Sequence, residues 1–242
     1  MQIDIKGMVV DSEDGAMLNW FGVQNTNPQD IQKALEEADG KDIDLNIAST
    51  GGDVFAAAEI YTMFKQYPGN VTGTIQGTAA SAASIIAEAC EHLVISPAAS
   101  MMIHRAATDA SGNTEVMGKT GNMLSKIDQT LVNVYQSKTG KSRDEILDLM
   151  KAETWLTPQD AVEQGFADEI LDVNDTAPQV VNSVGTIPDK SKVQKFLNML
   201  AKEENTKNEK KSGISDASDK EARDTALFKS KLAILKGEND GN

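Results

Sequence analysis

The sequence predicts an α/β fold, and three observations carry that prediction. Apolar residues recur at period two in short runs and at helical period in longer ones, and the two kinds of run alternate along residues 1–172. The passage "IASTGGDVFAAAEIY" goes from one kind to the other through Gly51 and Gly52, a strand, turn and helix in one stroke. Several helical runs also open on a capping residue and close on glycine.

Taken in order, "IDIKGMVV" within residues 1–10 reads as an entry strand and "DSEDG" as a turn. "NPQDIQKALEEADG" reads as a helix, with Asn27 as N-cap, Pro28 in the first turn, Ile31, Ala34, Leu35 and Ala38 on one face, and Gly40 as the stop. Ile43, Leu45 and Ile47 alternate as a strand, and Val54, Ala57, Ala58, Tyr61 and Phe64 then recur at helical spacing up to Pro68 and Gly69. "NVTGTIQG" is a further strand, "AASAASIIAEAC" a helix beginning near Ala79, and "HLVISP" and "SMMIH" are short strands. Residues 115–137 form a long helix with Met117, Leu124, Ile127, Leu131 and Val134 down one side, ended by Gly140. Ser142 caps "SRDEILDLMKA"; Thr157, Pro158 and Gly165 punctuate "TPQDAVEQG" in the same way; "ADEILDV" is the last strand.

Beyond about residue 175 the periodicity fades. The sequence therefore divides into a folded domain, residues 1–175, and a C-terminal extension, residues 176–242. Most of the extension is polar, charge-mixed and expected to be disordered, with "VQKFLNML" and "TALFKSKLAIL" suited to short amphipathic helices.

Composition narrows the function classes. With 242 residues, 40% of them hydrophobic, the chain can bury a sizeable core. No apolar run approaches the roughly 20 residues of a membrane span, and the first residues lack the pattern of an export signal, so a soluble cytoplasmic protein is expected. Cys90, the one cysteine, has no internal disulfide partner, and no Cys/His spacing suggests a metal site. The net charge is −14: residues 183–242 hold 12 basic and 10 acidic side chains, leaving 11 and 27 for residues 1–182. So acidic a body argues against nucleic acid or an anionic membrane as partner and leaves a polypeptide partner open.

Chemistry concentrates at two places. His104 closes the strand "SMMIH", and strand ends are where α/β proteins place working residues; His92 stands among charges and reads as a solvated residue. Ser81 falls at the start of the "AASAAS" helix, where unpaired N–H groups and the positive dipole end favour an anion. The glycines at 51 and 52 offer further N–H groups that no side chain obstructs. A hydroxyl, an imidazole and two sets of N–H donors are the parts of an acyl-transfer site. On spacing alone, the small-residue run fits a tightly packed core helix as well, and His104 fits a histidine bonded to backbone. Ser84, a turn deeper, reads as packing.

In order, "STGGDVFAAAEIY", "GTAASAAS", "MMIH" and "ETWLTPQDAVEQGFADEI" resemble the ClpP family of serine peptidases, and most nearly the ClpP-related head maturation proteases of tailed phages. The resemblance covers roughly residues 1–172. It implies a ClpP/crotonase-like fold of stacked β-β-α units, with residues from about 113 to 150 as a protruding helical handle. It also implies Ser81 as nucleophile, His104 as general base and Glu153 as the acid, with the N–H groups of Gly52 and Ala82 forming the oxyanion hole. Housekeeping relatives have aspartate where this chain has Glu153, so Asp109 and Asp168 stand as alternative acids. They also read "SPGG" where this chain has "STGG", and have a longer segment before the first predicted helix.

The implied activity is cleavage of capsid or scaffold protein during phage head assembly, in the host cytoplasm or inside the assembling procapsid. It would be carried out by a homo-oligomeric ring without a cofactor. An AAA+ unfoldase partner stays open. Other readings are an ATP-dependent Clp-type proteolytic subunit, a crotonase-type acyl-CoA enzyme, and an assembly scaffold that has lost catalysis.

Overall fold

The computed structural model describes residues 1–172. The expectations for residues 176–242, including both apolar segments, lie outside that range. The fold is α/β. Strands β1 (Gln2–Val9), β2 (Asn25–Thr26), β3 (Ile43–Gly52), β4 (Val71–Ala80), β5 (His92–Ile95), β6 (Ser100–Ile103), β7 (Thr154–Leu156) and β8 (Glu169–Ile170) form one sheet. Its order is β2-β1-β3-β4-β5-β8, with β6 joined to β4 and β7 to β6. Every pairing is parallel except β6 with β7.

The feature that builds the site is a fork in β4. Thr72 to Ile75 pair with β5, whereas Thr78 to Ala80 pair with Ser100 to Met102 of β6. The chain ends of β4 and β6 therefore emerge side by side.

Against the sheet pack α2 (Pro28–Ala38), α3 (Val54–Gln66) and α4 (Ala82–Ala87). Ile5, Leu45, Ile47, Ile60, Ile75 and Leu93 are wholly buried, each contributing about 1.5–3 kcal/mol of burial. All six residues of α4 are buried, so small side chains are what let a helix sit at the centre of the molecule. The caps follow the sequence. Asn27 accepts from the Asp30 N–H, and Ser142 and Thr157 each complete a capping box, for α6 (Arg143–Lys151) and α7 (Pro158–Glu163).

Three expectations are corrected and two strands are added. "DSEDG" is not a turn but the start of α1 (Ser12–Trp20), capped by the Asp11 side chain. Met17 and Trp20 are exposed, and only Gly15 is buried, where a Cβ would lie 2.5 Å from the Asn27 side chain. Such a helix has no apolar face for periodicity to reveal. The helix expected from Ala79 starts at Ala82, because hydrogen bonding to β6 keeps residues 78–80 extended. The two added strands, β2 and β7, have two and three residues and are too short to show alternation in the sequence. Finally, α5 (Thr114–Thr139) buries only Asp128, Leu131, Val132 and Tyr135, while Met117 is exposed. Its N-terminal half extends past the core as the handle.

Candidate active site

The forked strand delivers Ser81. Its φ of 54° and ψ of −124° lie outside helix and strand, making it the joint between β4 and α4 rather than a first-turn residue. Such a backbone state costs about 1–3 kcal/mol in a non-glycine residue and persists only where neighbours hold it. Here the Ser81 N–H donates to the Met102 carbonyl at 2.9 Å. Its carbonyl accepts from the Ser84 N–H at 3.0 Å and from Ser84 Oγ at 2.6 Å.

His104 follows β6 directly, two residues after the Met102 that pairs with Ala80. Its Nε2 lies 2.6 Å from Ser81 Oγ, within the reach needed for proton transfer. Gly51 lies against the same joint: a Cβ there would be 2.8 Å from the Ala82 nitrogen and 2.9 Å from Ser81 Cβ. Its φ of +89° and the +151° of Gly52 are both in the region that favours glycine. At Gly52 a Cβ would collide with the Val9 carbonyl. The turn thus stays bare beside the serine. Ser81, His104, Gly52 and Ala82 line one cleft of about 300 Å³, with Phe55 and Ile127 among its apolar walls. As the first residue of α4, Ala82 has an N–H without an intrahelical acceptor.

Glu153 sits at the turn into β7 with φ 50°, its side chain exposed. The antiparallel register pairs Ile103 with Thr154, and His104 and Glu153 are the residues next to that last pair on their two chains. Among the described residues no carboxylate hydrogen-bonds the His104 ring. Asp109 is exposed on the loop after His104. Asp168 lies elsewhere, accepting from Lys138 Nζ at 2.6 Å and the Leu93 N–H at 2.7 Å. Burial alone would raise its pKa; the bonds from Lys138 and Leu93 outweigh burial and hold it below the usual value. His92 is half-exposed beside Glu169 at 3.4 Å.

Ser84 is wholly buried, as packing predicts, yet its hydroxyl also meets Tyr135 OH at 2.8 Å. Sequence reasoning missed two residues. Asp128 is 2% exposed; its Oδ2 accepts from Arg105 Nε at 2.6 Å and its Oδ1 from the Ala106 N–H at 2.8 Å. The available signal was a charge three, four and seven residues before Leu131, Val132 and Tyr135, on the buried face of a helix. Glu88 is the other: it is buried, and neither of its carboxyl oxygens has a hydrogen-bond partner among the described residues. Among the described residues no group of three His, Cys, Asp or Glu side chains could hold a metal ion, and no helix is long and apolar enough to cross a membrane.

A parallel sheet whose strand ends bring a bonded serine and histidine to a bare glycine turn is a Clp-like α/β architecture. The family model described as Clp protease matches residues 27–174, and the chain belongs to that family. An ATP-dependent Clp protease proteolytic subunit of Bacteroides fragilis is 31% identical over 134 residues, 54% of this chain and 65% of that protein. Subunit 1 of the same enzyme in Leifsonia xyli is 26% identical over 177 residues, 70% of this chain and 88% of the relative. The match thus spans just under two thirds of the Bacteroides protein's length. A ClpP1 mutant from Listeria monocytogenes superposes with a TM-score of 0.59 at 22% identity, covering 72% of this chain and 92% of its own.

Proposed function

We propose that this chain is a Clp-type serine endopeptidase. The observation that carries the proposal is the 2.6 Å approach of His104 Nε2 to Ser81 Oγ beside the Gly51 and Gly52 turn. His104 takes the hydroxyl proton as Ser81 Oγ bonds to the scissile carbonyl carbon, and the resulting oxyanion accepts from the Gly52 and Ala82 N–H groups. Collapse expels the amine, which takes the proton from His104. Water, deprotonated by the same imidazole, then cleaves the acyl ester and restores Ser81. Glu153, which adjoins Thr154, the β7 partner of Ile103, is the carboxylate assigned to orient the ring, as the family resemblance implies. The chemistry needs no metal or cofactor. A fold that used only paired N–H donors, as in acyl-CoA chemistry, would have no use for the bonded pair.

The substrate reading is capsid or scaffold protein during phage head maturation, performed by a homo-oligomeric ring. Its support is the resemblance of the ordered motifs and the long polar C-terminal stretch, which suits a segment that addresses a protease to an assembling shell. A second reading follows from the relatives, which are named ATP-dependent Clp proteolytic subunits. In that reading an unfoldase feeds the ring. Co-expression with a major capsid protein, with Ser81→Ala and His104→Ala as controls, tests the first. Shortening that depends on both residues supports it. ATP-dependent degradation of unfolded substrates, without capsid shortening, supports the second. Failure of a fluorophosphonate to label Ser81 in the intact assembly would overturn both and favour a scaffold.

A further inference from the structure

Helix α5 bonds to the near neighbours of both Ser81 and His104: to Ser84 on one side and to Arg105 and Ala106 on the other. Its buried residues include Asp128 and Tyr135, seven positions and so about two turns apart on one face. Asp128 spends both carboxylate oxygens on the two residues that follow His104: Oδ2 accepts from Arg105 Nε at 2.6 Å and Oδ1 from the Ala106 N–H at 2.8 Å. Tyr135, 1% exposed, approaches Ser84 Oγ at 2.8 Å. The Ser84 hydroxyl gives its one proton to the Ser81 carbonyl at 2.6 Å, so Tyr135 OH is the donor to Ser84. One helix thus grips the segment leaving His104 and the carbonyl of the serine.

We propose that Asp128 and Tyr135 are positioning residues that hold His104 and Ser81 at their working separation, with α5 as their common mount. The inference rests on the peptidase reading for its kinetic consequences, but its geometry stands apart from it. Stability alone explains neither group well. A buried carboxylate paired with a half-exposed arginine must offset a desolvation cost that an apolar residue would avoid, so such pairs are weak contributors to stability. A tyrosine hydroxyl in a dry core likewise needs a partner that phenylalanine would not. What the two polar groups supply is direction, to the segment that follows His104 beyond the end of β6 and to a Ser81 backbone in a costly conformation.

The test uses the full-length protein carrying Asp128→Asn or Tyr135→Phe. Asparagine keeps an acceptor for the Ala106 N–H and loses the charge; phenylalanine keeps the edge contact with Phe166 at 5.8 Å and loses one oxygen. Saturation kinetics of fluorophosphonate labelling separate the maximal rate from probe affinity. The expected result is a maximal rate lower by roughly tenfold or more in each variant, since a 1 Å misplacement costs up to about 10²-fold, with affinity and melting temperature nearly unchanged. Folded variants that label at the parental rate overturn the inference.

The chain's two histidines allow an independent reading by nuclear magnetic resonance, with His92 as internal control. His104 ring signals that move in both variants while His92 stays fixed support the inference even if the parent protein does not label. That second event overturns the peptidase reading alone. Unmoved His104 signals overturn the positioning role. Should Asp128→Asn fail to fold, Tyr135→Phe decides by the same two measurements.

Discussion

Ser81 Oγ and His104 Nε2 lie 2.6 Å apart across 23 positions of sequence. The approach is a product of sheet topology, since β4 abandons β5 for β6 within its last three residues and carries Ser81 to the strand that His104 directly follows. Replacing Ser81 by alanine removes the nucleophile without disturbing that topology. Fluorophosphonate labelling should vanish, and peptide hydrolysis should fall by roughly 10⁴-fold or more. His104→Ala should lose nearly as much, and the double variant no more than the worse single one, because the two act as a unit. A double variant in which the two single losses add would contradict a shared proton.

Glu153 and the alternative acids separate by substitution. Glu153→Gln keeps the shape and removes the charge that would stabilise the imidazolium, so the maximal rate should fall by about 10²- to 10⁴-fold with little change in KM. Asp109→Asn should leave the rate within about twofold. Asp168→Asn keeps one oxygen for the Leu93 N–H but loses the charge that pairs with Lys138, and should lower the melting temperature while the folded enzyme keeps its rate. A large rate loss at Asp109 with none at Glu153 would move the acid to the loop.

What could be read from the sequence was what is determined locally. Asn27, Ser142 and Thr157 cap their helices through bonds to residues three positions on, and the strand at Ile43, Leu45 and Ile47 shows its buried face by alternation. The residues themselves placed His104 at a strand end and Ser81 at the start of a helix, but spacing alone also fitted a packed core helix and a histidine bonded to backbone; the resemblance supplied the roles of nucleophile and base. Other features depend on contacts distant in sequence. Asp128 finds its partner 23 residues away, α1 lacks an apolar face, and the Ser81 backbone in its positive-φ state is tied to Met102, 21 residues on. Glu88 was hidden in "AEAC" because no pattern in the chain distinguishes a carboxyl that stays dry from one at a helix end.

Glycines give a paired prediction. At Gly51 the backbone has φ +89°, and a Cβ would lie 2.5 Å from the Ala80 carbonyl oxygen as well as against Ser81. Gly51→Ala should therefore destabilise the fold by about 1–3 kcal/mol and lose most labelling at temperatures where the protein remains folded. Gly118, inside α5, has nothing within 4 Å of its Cβ position. Gly118→Ala should stabilise the protein by about 0.5–1 kcal/mol, through lower unfolded-state entropy and better helix propensity, and leave labelling intact. Thermal melts with labelling assays check both. Loss of activity in Gly118→Ala would mean that the handle needs its flexibility for function.

Glu88 supplies the pH dependence. Burial drives its pKa well above 4.5; the attraction of Lys138 opposes the shift and the charge of Asp168 adds to it. The folded state therefore binds this proton more tightly than the unfolded state does. Its contribution to stability is complete below about pH 4.5 and is lost as pH rises through the folded value. The same carboxyl helps to raise the Cys90 thiol to about 12, after burial itself. Glu88→Gln keeps the volume and cannot ionise, so it mimics the protonated acid at every pH. The melting temperature of the variant relative to the parent should climb steadily from pH 4.5 towards alkaline pH. The shift of Asp168 has the opposite sign, with stability lost as pH falls, and it drops out of the comparison because both proteins carry it. A melting difference that stays flat from pH 4.5 to 9 would show that Glu88 ionises in the folded protein as freely as in the unfolded chain, and that Lys138 fully offsets its burial.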